Sequence, residues 1–385
     1  MTSTLNATLL NETEVSYVSY HHRPETYIVP ILFFIIFVVG TLGNGTLIRI
    51  FVKHKNMRNV PNTYLFSLAL GDLLVIWTNV PFTSTVYTVE SWPYGVLICK
   101  ISESAKDISI GVSVFTLTAL SADRFFAIVD PLSKFHSGGC AKREISYTVI
   151  TIAFIWILSS ILALPAAIFS FLKSLEINEH KKIEVCYPFP EDKHPWYART
   201  VVMFKFVVYY ALPLVIIGFF YILMARHLVL STKNLPGESS RQVRARKKVA
   251  KMVSAFVFIF AICFLPQHVF MLWFYNNPNA DTDYNAFWHA LRIVAFSLSY
   301  AISCINPIAL FCVSATFRKY FNRYLFCCCK RKISRTDSMS MMSIKRVSTF
   351  SRKRNGESSA LSSNYNNFRD RQTLTTRCDG DDFYQ

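Results

Sequence analysis

Charged residues are scarce in this sequence. Asp, Glu, Lys and Arg make up 17% of the 385 residues, while hydrophobic residues make up 52%. A soluble protein of this length would carry more charge. Apolar runs of about 20 residues recur seven times instead, and each is long enough for a helix that crosses a bilayer. The sequence therefore predicts an all-α membrane protein with a seven-transmembrane helix bundle.

Other patterns are absent, and each absence excludes a class of protein. The apolar runs do not alternate with polar residues, as the strands of a membrane β-barrel do. The ten cysteines show no metal-ligand spacing. No basic stripe is interleaved with stacking aromatic residues, so the net charge of +17 does not indicate a nucleic-acid partner.

Patterns of catalysis and transport are missing as well. The sequence has no nucleophile–base set at usable spacing and no phosphate loop, so we do not expect an enzyme. A small membrane transporter is the weaker alternative, because the sequence shows neither an internal repeat nor a polar path through the whole bilayer.

The apolar runs and the basic loops together predict a topology. We expect spans at about 28–52, 61–88, 97–130, 143–171, 199–231, 246–275 and 285–312. Lys and Arg concentrate in the loops after spans 1, 3 and 5, whereas 89–96 and 276–284 contain none and 172–198 is an exception with four lysines. Because basic loops favour the cytoplasm, we expect an extracellular N-terminus and a cytoplasmic C-terminus.

The N-terminal segment predicts a modification. Sequons begin at Asn6 and Asn11, ahead of the first span. Residues 1–27 are therefore expected to form an extracellular, glycosylated N-terminus, followed by the transmembrane domain at 28–312.

The C-terminal segments predict contacts with membrane lipid. Residues 313–329 combine a short amphipathic interfacial helix with three cysteines placed for S-palmitoylation, Cys327, Cys328 and Cys329. A reduced thiol cluster without lipid is the alternative. Residues 330–385 are rich in Ser, Thr, Arg and Asn, which predicts a disordered, phosphorylatable cytoplasmic tail.

Four polar residues lie inside four different predicted spans, where polar groups are costly. They are Asn44, Asp72, Ser113 and Asn306. If the helices bundle, these side chains can form one buried cluster that holds Na⁺ between its oxygens, with Asp72 as the charge. The alternative is a hydrogen-bonded packing cluster without an ion. No other metal or cofactor is expected.

Two further features lie at the cytoplasmic end of span 3 and inside span 6. Arg124 can pair with Asp123 in one state and reach a partner in another, or the two can simply form an interfacial pair. Pro266 removes a backbone hydrogen bond inside span 6 and so permits a kink.

A set of motifs in chain order resembles the signature of rhodopsin-like G-protein-coupled receptors. It consists of Gly43-Asn44, Leu68-Ala69-Leu70-Gly71-Asp72, Cys99, Asp123-Arg124-Phe125, Trp156, Cys186, Pro213, Tyr221, Cys263-Phe264-Leu265-Pro266 and Asn306-Pro307. The resemblance covers about residues 28–329. The stretches LSADRFFAIVDPL, CFLPQHV and SCINPIALF, with FRKYFN and CCC after them, are similar to the bombesin-receptor branch, and within it to the arthropod CCHamide neuropeptide receptors.

The resemblance implies roles for particular residues. Cys99 and Cys186 would form an outer disulfide, and the four polar residues named above match the sodium-site positions. Arg124 would engage the G protein, with Tyr221 as its nearby polar partner. In the second inner loop, Pro131-Leu132 would dock on the Gα subunit.

The resemblance also implies partners and a location. An extracellular peptide would be the agonist, and a heterotrimeric G protein of the Gq class would raise calcium. Arrestin and receptor kinases would act on the Ser/Thr-rich tail. The protein would lie in the plasma membrane.

The sequence departs from the family pattern at several places. Phe125 replaces a tyrosine, Phe264 replaces the tryptophan before Pro266, and Leu310 stands where the span 7 motif has its tyrosine. The inner end of span 6 carries Arg246-Lys247 rather than an acid. Because no acid there can hold Arg124 in the resting state, we expect measurable basal activity.

The outer half of the bundle indicates the kind of ligand. Lys106 stands where amine receptors have an aspartate and would repel an ammonium group, and span 7 has no lysine for the Schiff base of an opsin. Lys106 and Asp107 could instead neutralise one another, and His268 could be an ordinary hydrogen-bonded helix residue.

The candidate ligand residues are Lys106, Lys205, Gln267, His268, Arg292, Glu184, Phe274 and Trp288. This polar, partly basic and aromatic set suits the carbonyl-rich, amidated end of a CCHamide-like peptide; a bombesin-like or other amidated peptide is the alternative.

Overall fold

The computed structural model describes residues 23–129, 141–178, 181–190, 196–234 and 240–325. The chain divides after Phe321, and only 322–325 of the second unit are described. The described helices are α1 (Glu25–Lys53), α2 (Val60–Thr78), α3 (Val80–Thr85), α4 (Gly95–Val129), α5 (Ala141–Phe169), α6 (Trp196–Phe206), α7 (Leu212–Asn234), α8 (Ser240–Asn276), α9 (Ala280–Asp283), α10 (Ala286–Val313) and α11 (Ala315–Tyr324). Besides these there are a 3₁₀ turn, Lys55–Met57, a π-helical segment, Val207–Ala211, and two strands, β1 (Phe171–Asn178) and β2 (Lys181–Tyr187).

Seven stretches of the described helices are long and apolar enough to cross a membrane, which confirms the predicted fold class. Spans 1 to 7 are Glu25–Lys53, Val60–Thr85, Gly95–Val129, Glu144–Phe169, Trp196–His227, Ser254–Asn276 and Ala286–Val313. The chain is therefore a multi-pass membrane protein. The helix that contains span 6 begins at Ser240, earlier than the expected start of the span at 246.

Local sequence explains where several spans begin. The side chain of Asn59 accepts a hydrogen bond from the backbone N–H of Asn62 and caps the helix of span 2. Asn285 caps span 7 in the same way, through the N–H groups of Phe287 and Trp288. Gly95 opens span 3 with φ of 72°, a conformation that favours glycine.

Span 5 contains an irregularity that the sequence analysis did not predict. The π-helical turn Val207–Ala211 comes just before Pro213, and it places both Tyr209 and Tyr210 in the interior. The hydroxyl of Tyr210 donates a hydrogen bond of 3.0 Å to the carbonyl of Ala261 on span 6. The turn therefore ties spans 5 and 6 together near Pro266 of span 6.

The outer loop between spans 4 and 5 forms an antiparallel hairpin, which adds strands to the predicted all-α bundle. Phe171 of β1 lies opposite Tyr187 of β2, and Leu172 lies opposite Cys186. Cys186 is bonded to Cys99 at the start of span 3, with their Cα atoms 5.5 Å apart, so the expected disulfide is present. This bond fixes β2 over the outer end of span 3.

Spans 1, 2 and 7 pack closely around a buried cluster that includes Phe33, Ile76 and Tyr300. Spans 1 and 7 can approach this closely because residue 43 is a glycine. A Cβ atom on Gly43 would lie 2.6 Å from Cγ of Pro307, whereas a Cβ on Gly45 would meet nothing within 4 Å.

Replacing Gly43 with alanine is expected to lower the stability of the protein by about 1–3 kcal/mol, because the added methyl group must displace a rigid proline ring. Gly45→Ala is the matched control in the same helix and should leave stability unchanged or raise it, since alanine favours a helix. Thermal unfolding of the purified variants measures both. Equal unfolding temperatures for the two variants would contradict the close contact.

The last helix, α11, is amphipathic as expected. Phe317 and Phe321 are buried, and Tyr320 packs on His54 with ring centroids 4.4 Å apart. The exposed face carries Arg318-Lys319. The cysteine triplet predicted to be acylated lies outside the described residues, as do the two sequon asparagines and the tail.

Candidate functional site

A cavity of about 560 Å³ opens among the ends of the spans that lie on the side of the Cys99–Cys186 disulfide; we call these the outer ends and the cavity the outer cavity. This volume is typical of ligand sites. Its wall comes from spans 1, 2, 3, 5, 6 and 7 and from both strands of the hairpin. Six of the eight predicted ligand residues line it, namely Lys106, Lys205, Gln267, His268, Arg292 and Phe274.

The other two predicted ligand residues lie elsewhere. Glu184 lines a smaller neighbouring cavity of about 80 Å³, where its backbone N–H donates to the hydroxyl of Ser91. Trp288 stacks on Trp273 with ring centroids 3.7 Å apart, and so joins the outer ends of spans 6 and 7. Neither residue lines the outer cavity. The backbone of Glu184 is held by its hydrogen bond to Ser91, and the ring of Trp288 is held by its stack on Trp273.

Two ion pairs lie in the wall of the outer cavity. Lys106 Nζ is 2.5 Å from Glu103 Oε2, one turn away on span 3. Lys205 Nζ of span 5 is 2.6 Å from Asp107 Oδ2 of span 3, and the Asp107 side chain is only 3% exposed. Lys106 and Asp107 therefore do not pair directly with one another, since each has its own partner. Buried charges require such partners.

His268 lies among aromatic rings. Its imidazole centroid is 5.6 Å from the ring of Phe206 and 4.8 Å from that of Tyr210. His268 also lines the outer cavity, so its placement suits a role in shaping the wall between spans 5 and 6.

The mouth of the outer cavity contains a polar chain that the sequence analysis missed. His289 Nε2 is 3.2 Å from Glu25 Oε1, and His289 Nδ1 is 3.1 Å from the hydroxyl of Tyr284. The guanidinium of Arg292 lies over the Tyr284 ring, 5.9 Å from its centroid. These contacts join the start of span 1 to the start of span 7. No sequence signal connects Glu25 with His289, because 264 positions separate them.

The four polar residues predicted to cluster do come close together, but not all around one point. Asp72 is 1% exposed and accepts a hydrogen bond of 2.9 Å from Asn306 Nδ2. Asn44 Nδ2 donates instead to the carbonyl of Ser303 at 2.8 Å, which ties span 1 to span 7. Asp72, Ser113 and Ser303 line a cavity of about 20 Å³, enough for one particle the size of a water. We call this cavity the polar core.

Phe264 connects the outer cavity with the polar core, since it lines both. Its ring packs on Phe260 of the same span, with centroids 4.7 Å apart. Lys106 and Ile110 of span 3 also line both cavities, so these three side chains separate the outer cavity from the polar core.

The inner end of span 3 carries the predicted effector residues. The Arg124 guanidinium donates to the Asp123 carboxylate, with Nε 3.0 Å from Oδ2 and a second contact through its terminal nitrogen. Tyr221 of span 5 packs beside Tyr64 and Leu120. The predicted docking pair in the second inner loop, Pro131-Leu132, lies outside the described residues.

Comparisons with known proteins agree with this architecture. Residues 43–309 match the family described as 7 transmembrane receptor (rhodopsin family). The chain is 61% identical over 328 residues to the neuropeptide CCHamide-1 receptor of Drosophila melanogaster, an alignment that covers 84% of this chain and 65% of that receptor. It is 39% identical over 306 residues to a bombesin receptor of Bombina orientalis, covering 78% and 76% of the two chains. The chain thus spans a little under two thirds of the length of the Drosophila receptor.

Proposed function

Because the chain belongs to the rhodopsin family of seven-transmembrane receptors, we propose that it is a G-protein-coupled receptor for an extracellular CCHamide-like, amidated peptide. The observation that carries the proposal is the outer cavity, which is large, aromatic and lined by paired charges. In the described part of the chain, the acids that line this cavity are Glu25, Glu103 and Asp107, and each has a partner within the protein, which suits a peptide end better than an ammonium group. The similarity to a receptor named for CCHamide-1 supports the peptide class. The protein would lie in the plasma membrane with its N-terminus outside.

The proposed mechanism is a population shift between two arrangements of the spans. The agonist binds the outer cavity more tightly when span 6 swings outward below Pro266. Phe264 transmits this change to the polar core, and the opened inner face exposes Arg124 to the G protein. A Gq-class protein would then release calcium, and arrestin and receptor kinases would act on the tail.

A different amidated peptide is the second candidate ligand. The similarity to a bombesin receptor supports a bombesin-like peptide, and the same cavity would receive it. No observation favours the transporter alternative.

A calcium-flux panel tests the proposed function. Cells that express this chain with a promiscuous Gα subunit receive synthetic CCHamide-type peptides, bombesin-like peptides and biogenic amines side by side. We expect a nanomolar response to one amidated peptide. Arg124→Ala is the control, which should retain peptide binding and lose the calcium signal. A response to an amine alone, with every peptide silent at proven surface expression, would overturn the proposal.

Basal signalling should be measurable in the absence of peptide. Arg124 pairs with its neighbour Asp123 on the same span, and the sequence at the inner end of span 6 offers no acid to hold it. We expect ligand-independent second-messenger production that rises with receptor number. Arg246→Glu, which supplies an acid, should reduce it several-fold. A signal no higher than that of membranes without receptor would refute the expectation.

We also propose that Na⁺ binds in the polar core. The oxygens that could hold it belong to Asp72, Ser113, Ser303 and Asn306, and a hard cation prefers such a set. NaCl should raise the unfolding temperature of the purified protein above its value in choline chloride at equal ionic strength. Asp72→Asn should abolish this difference. Identical unfolding temperatures in the two salts would count against the site.

A further inference from the structure

The three side chains that separate the outer cavity from the polar core differ in their chemistry. Ile110 and Phe264 are apolar, so Lys106 is the member of this group that carries a charge. Asp72, whose side chain is 1% exposed, also lines the polar core. Among the described residues around this small space, Lys106 and Asp72 are the two charged ones. A fixed cation and a buried carboxylate therefore belong to the same wall.

The partner of Lys106 lies on the side away from the polar core. Glu103 precedes Lys106 by three residues on span 3, and the span begins near the outer disulfide at Cys99, so Glu103 is one turn closer to the outside. Glu103 lines the outer cavity, whereas Lys106 lines both cavities. The two charges are 2.5 Å apart. The pair therefore presents its positive end to the polar core.

This positive end acts with opposite signs on the two charges that the polar core can hold. It stabilises the ionised carboxylate of Asp72, and it repels a cation that binds beside that carboxylate. The polar core is only about 20 Å³ in volume, so a bound cation cannot move far from Lys106. Because the protein interior screens charges much less than water does, this repulsion extends over the whole space.

We propose that Lys106 sets the Na⁺ affinity of the polar core, as a fixed cation that weakens Na⁺ binding, and that Glu103 moderates this effect. The inference rests on the Na⁺ site proposed above, and it adds the residue that determines how tightly the site binds. Lys106 partly balances the charge of Asp72 from within the protein. The peptide-free receptor consequently depends less on a bound Na⁺ than it would with a neutral residue at position 106.

The two charges of the pair give a ranked expectation for the Kd of Na⁺. Lys106→Gln removes the repulsion and leaves the Glu103 carboxylate, so the Kd should fall at least about tenfold. Glu103→Gln leaves the ammonium uncompensated, so the Kd should rise at least about threefold. The double variant lacks both charges and should lie between Lys106→Gln and the wild type. Lys106→Arg keeps the cation and should retain the wild-type Kd within about twofold.

A sodium titration of the purified, peptide-free receptor tests this order. NaCl replaces choline chloride at constant ionic strength, and the free energy of unfolding should rise as RT ln(1 + [Na⁺]/Kd), which gives the Kd for each variant. A less stable variant still reports its Kd, because the Kd is taken from the response to Na⁺. Lys100→Gln is the matched control on the same span. Lys100 Nζ donates to the carbonyl of Ile168, and Lys100 lines neither cavity, so the Kd should not change.

The outcomes separate this inference from the Na⁺ site on which it rests. Equal Kd values for Lys106→Gln and the wild type would overturn the inference, while a Na⁺ response that Asp72→Asn abolishes would still support the site. A higher Kd in Lys106→Gln would overturn it as well, because Lys106 would then help to hold the ion. If neither the wild type nor Lys106→Gln responds to Na⁺, the proposed site is wrong, and this inference with it.

Discussion

Removing the outer disulfide with Cys99→Ser/Cys186→Ser is expected to lower the stability of the protein by about 2–4 kcal/mol. The bond closes a loop of 87 residues and fixes β2 at the outer end of span 3. Tyr187 and Phe189, which follow Cys186 closely, form part of the wall of the outer cavity. Without the bond, this part of the wall is no longer attached to span 3 and must be ordered when the peptide binds. Because that ordering costs free energy, peptide affinity should fall at least about tenfold.

Thermal unfolding of the purified receptor and radioligand binding on cells measure the two effects. The double variant is used because a single serine would leave a free thiol that can mispair. Cys312→Ser is the matched control, since Cys312 is an exposed, unbonded cysteine and its replacement should change neither quantity. Wild-type stability together with wild-type affinity in the double variant would show that the hairpin is held by other contacts.

The fold could be predicted from sequence because the physical signal is local and repeated. Seven apolar runs of membrane length leave few structures that satisfy their backbone groups in lipid. Asn59 and Asn285 cap the starts of spans 2 and 7, and asparagine is a residue type that commonly caps the start of a helix. The π-helical turn at Val207–Ala211 has no comparable signal, because an extra residue in a helix changes neither composition nor mean apolarity.

The hairpin between spans 4 and 5 illustrates a second limit. Its strands, Phe171–Asn178 and Lys181–Tyr187, carry lysines and glutamates that also suit an irregular polar loop. The disulfide at Cys186 attaches this hairpin to span 3, and the resemblance to a family implied that bond while composition did not. Composition alone therefore did not distinguish a paired hairpin from an irregular loop at this place.

The sequence predicted which residues form the candidate site, but it did not predict which of them pair with one another. Six of the eight ligand candidates line the outer cavity because residues on facing sides of a bundle converge at one end. The sequence could not tell that Lys106 pairs along its own helix while Asp107 pairs across to Lys205. Neighbours in sequence point about 100° apart on a helix, and which neighbouring span each one faces is a matter of packing.

The pair between Asp107 and Lys205 leads to the second large expected effect. Lys205→Met would leave the Asp107 carboxylate, whose side chain is 3% exposed, without a counter-charge, and should destabilise the protein by about 3–5 kcal/mol. Asp107→Asn should cost less, because the Lys205 side chain is 23% exposed and its ammonium can reach the water of the outer cavity. The double variant should recover much of the loss, since it leaves no unpaired charge behind.

Thermal and denaturant unfolding of the purified, peptide-free protein in a double-mutant cycle isolates this coupling. The matched control is the pair of Lys182 with Glu176 on the hairpin, which has the same 2.6 Å separation but side chains about 70% exposed. Breaking it should cost less than about 1 kcal/mol, because water screens an exposed pair. If the effects of Asp107→Asn and Lys205→Met simply add, the two side chains do not stabilise one another.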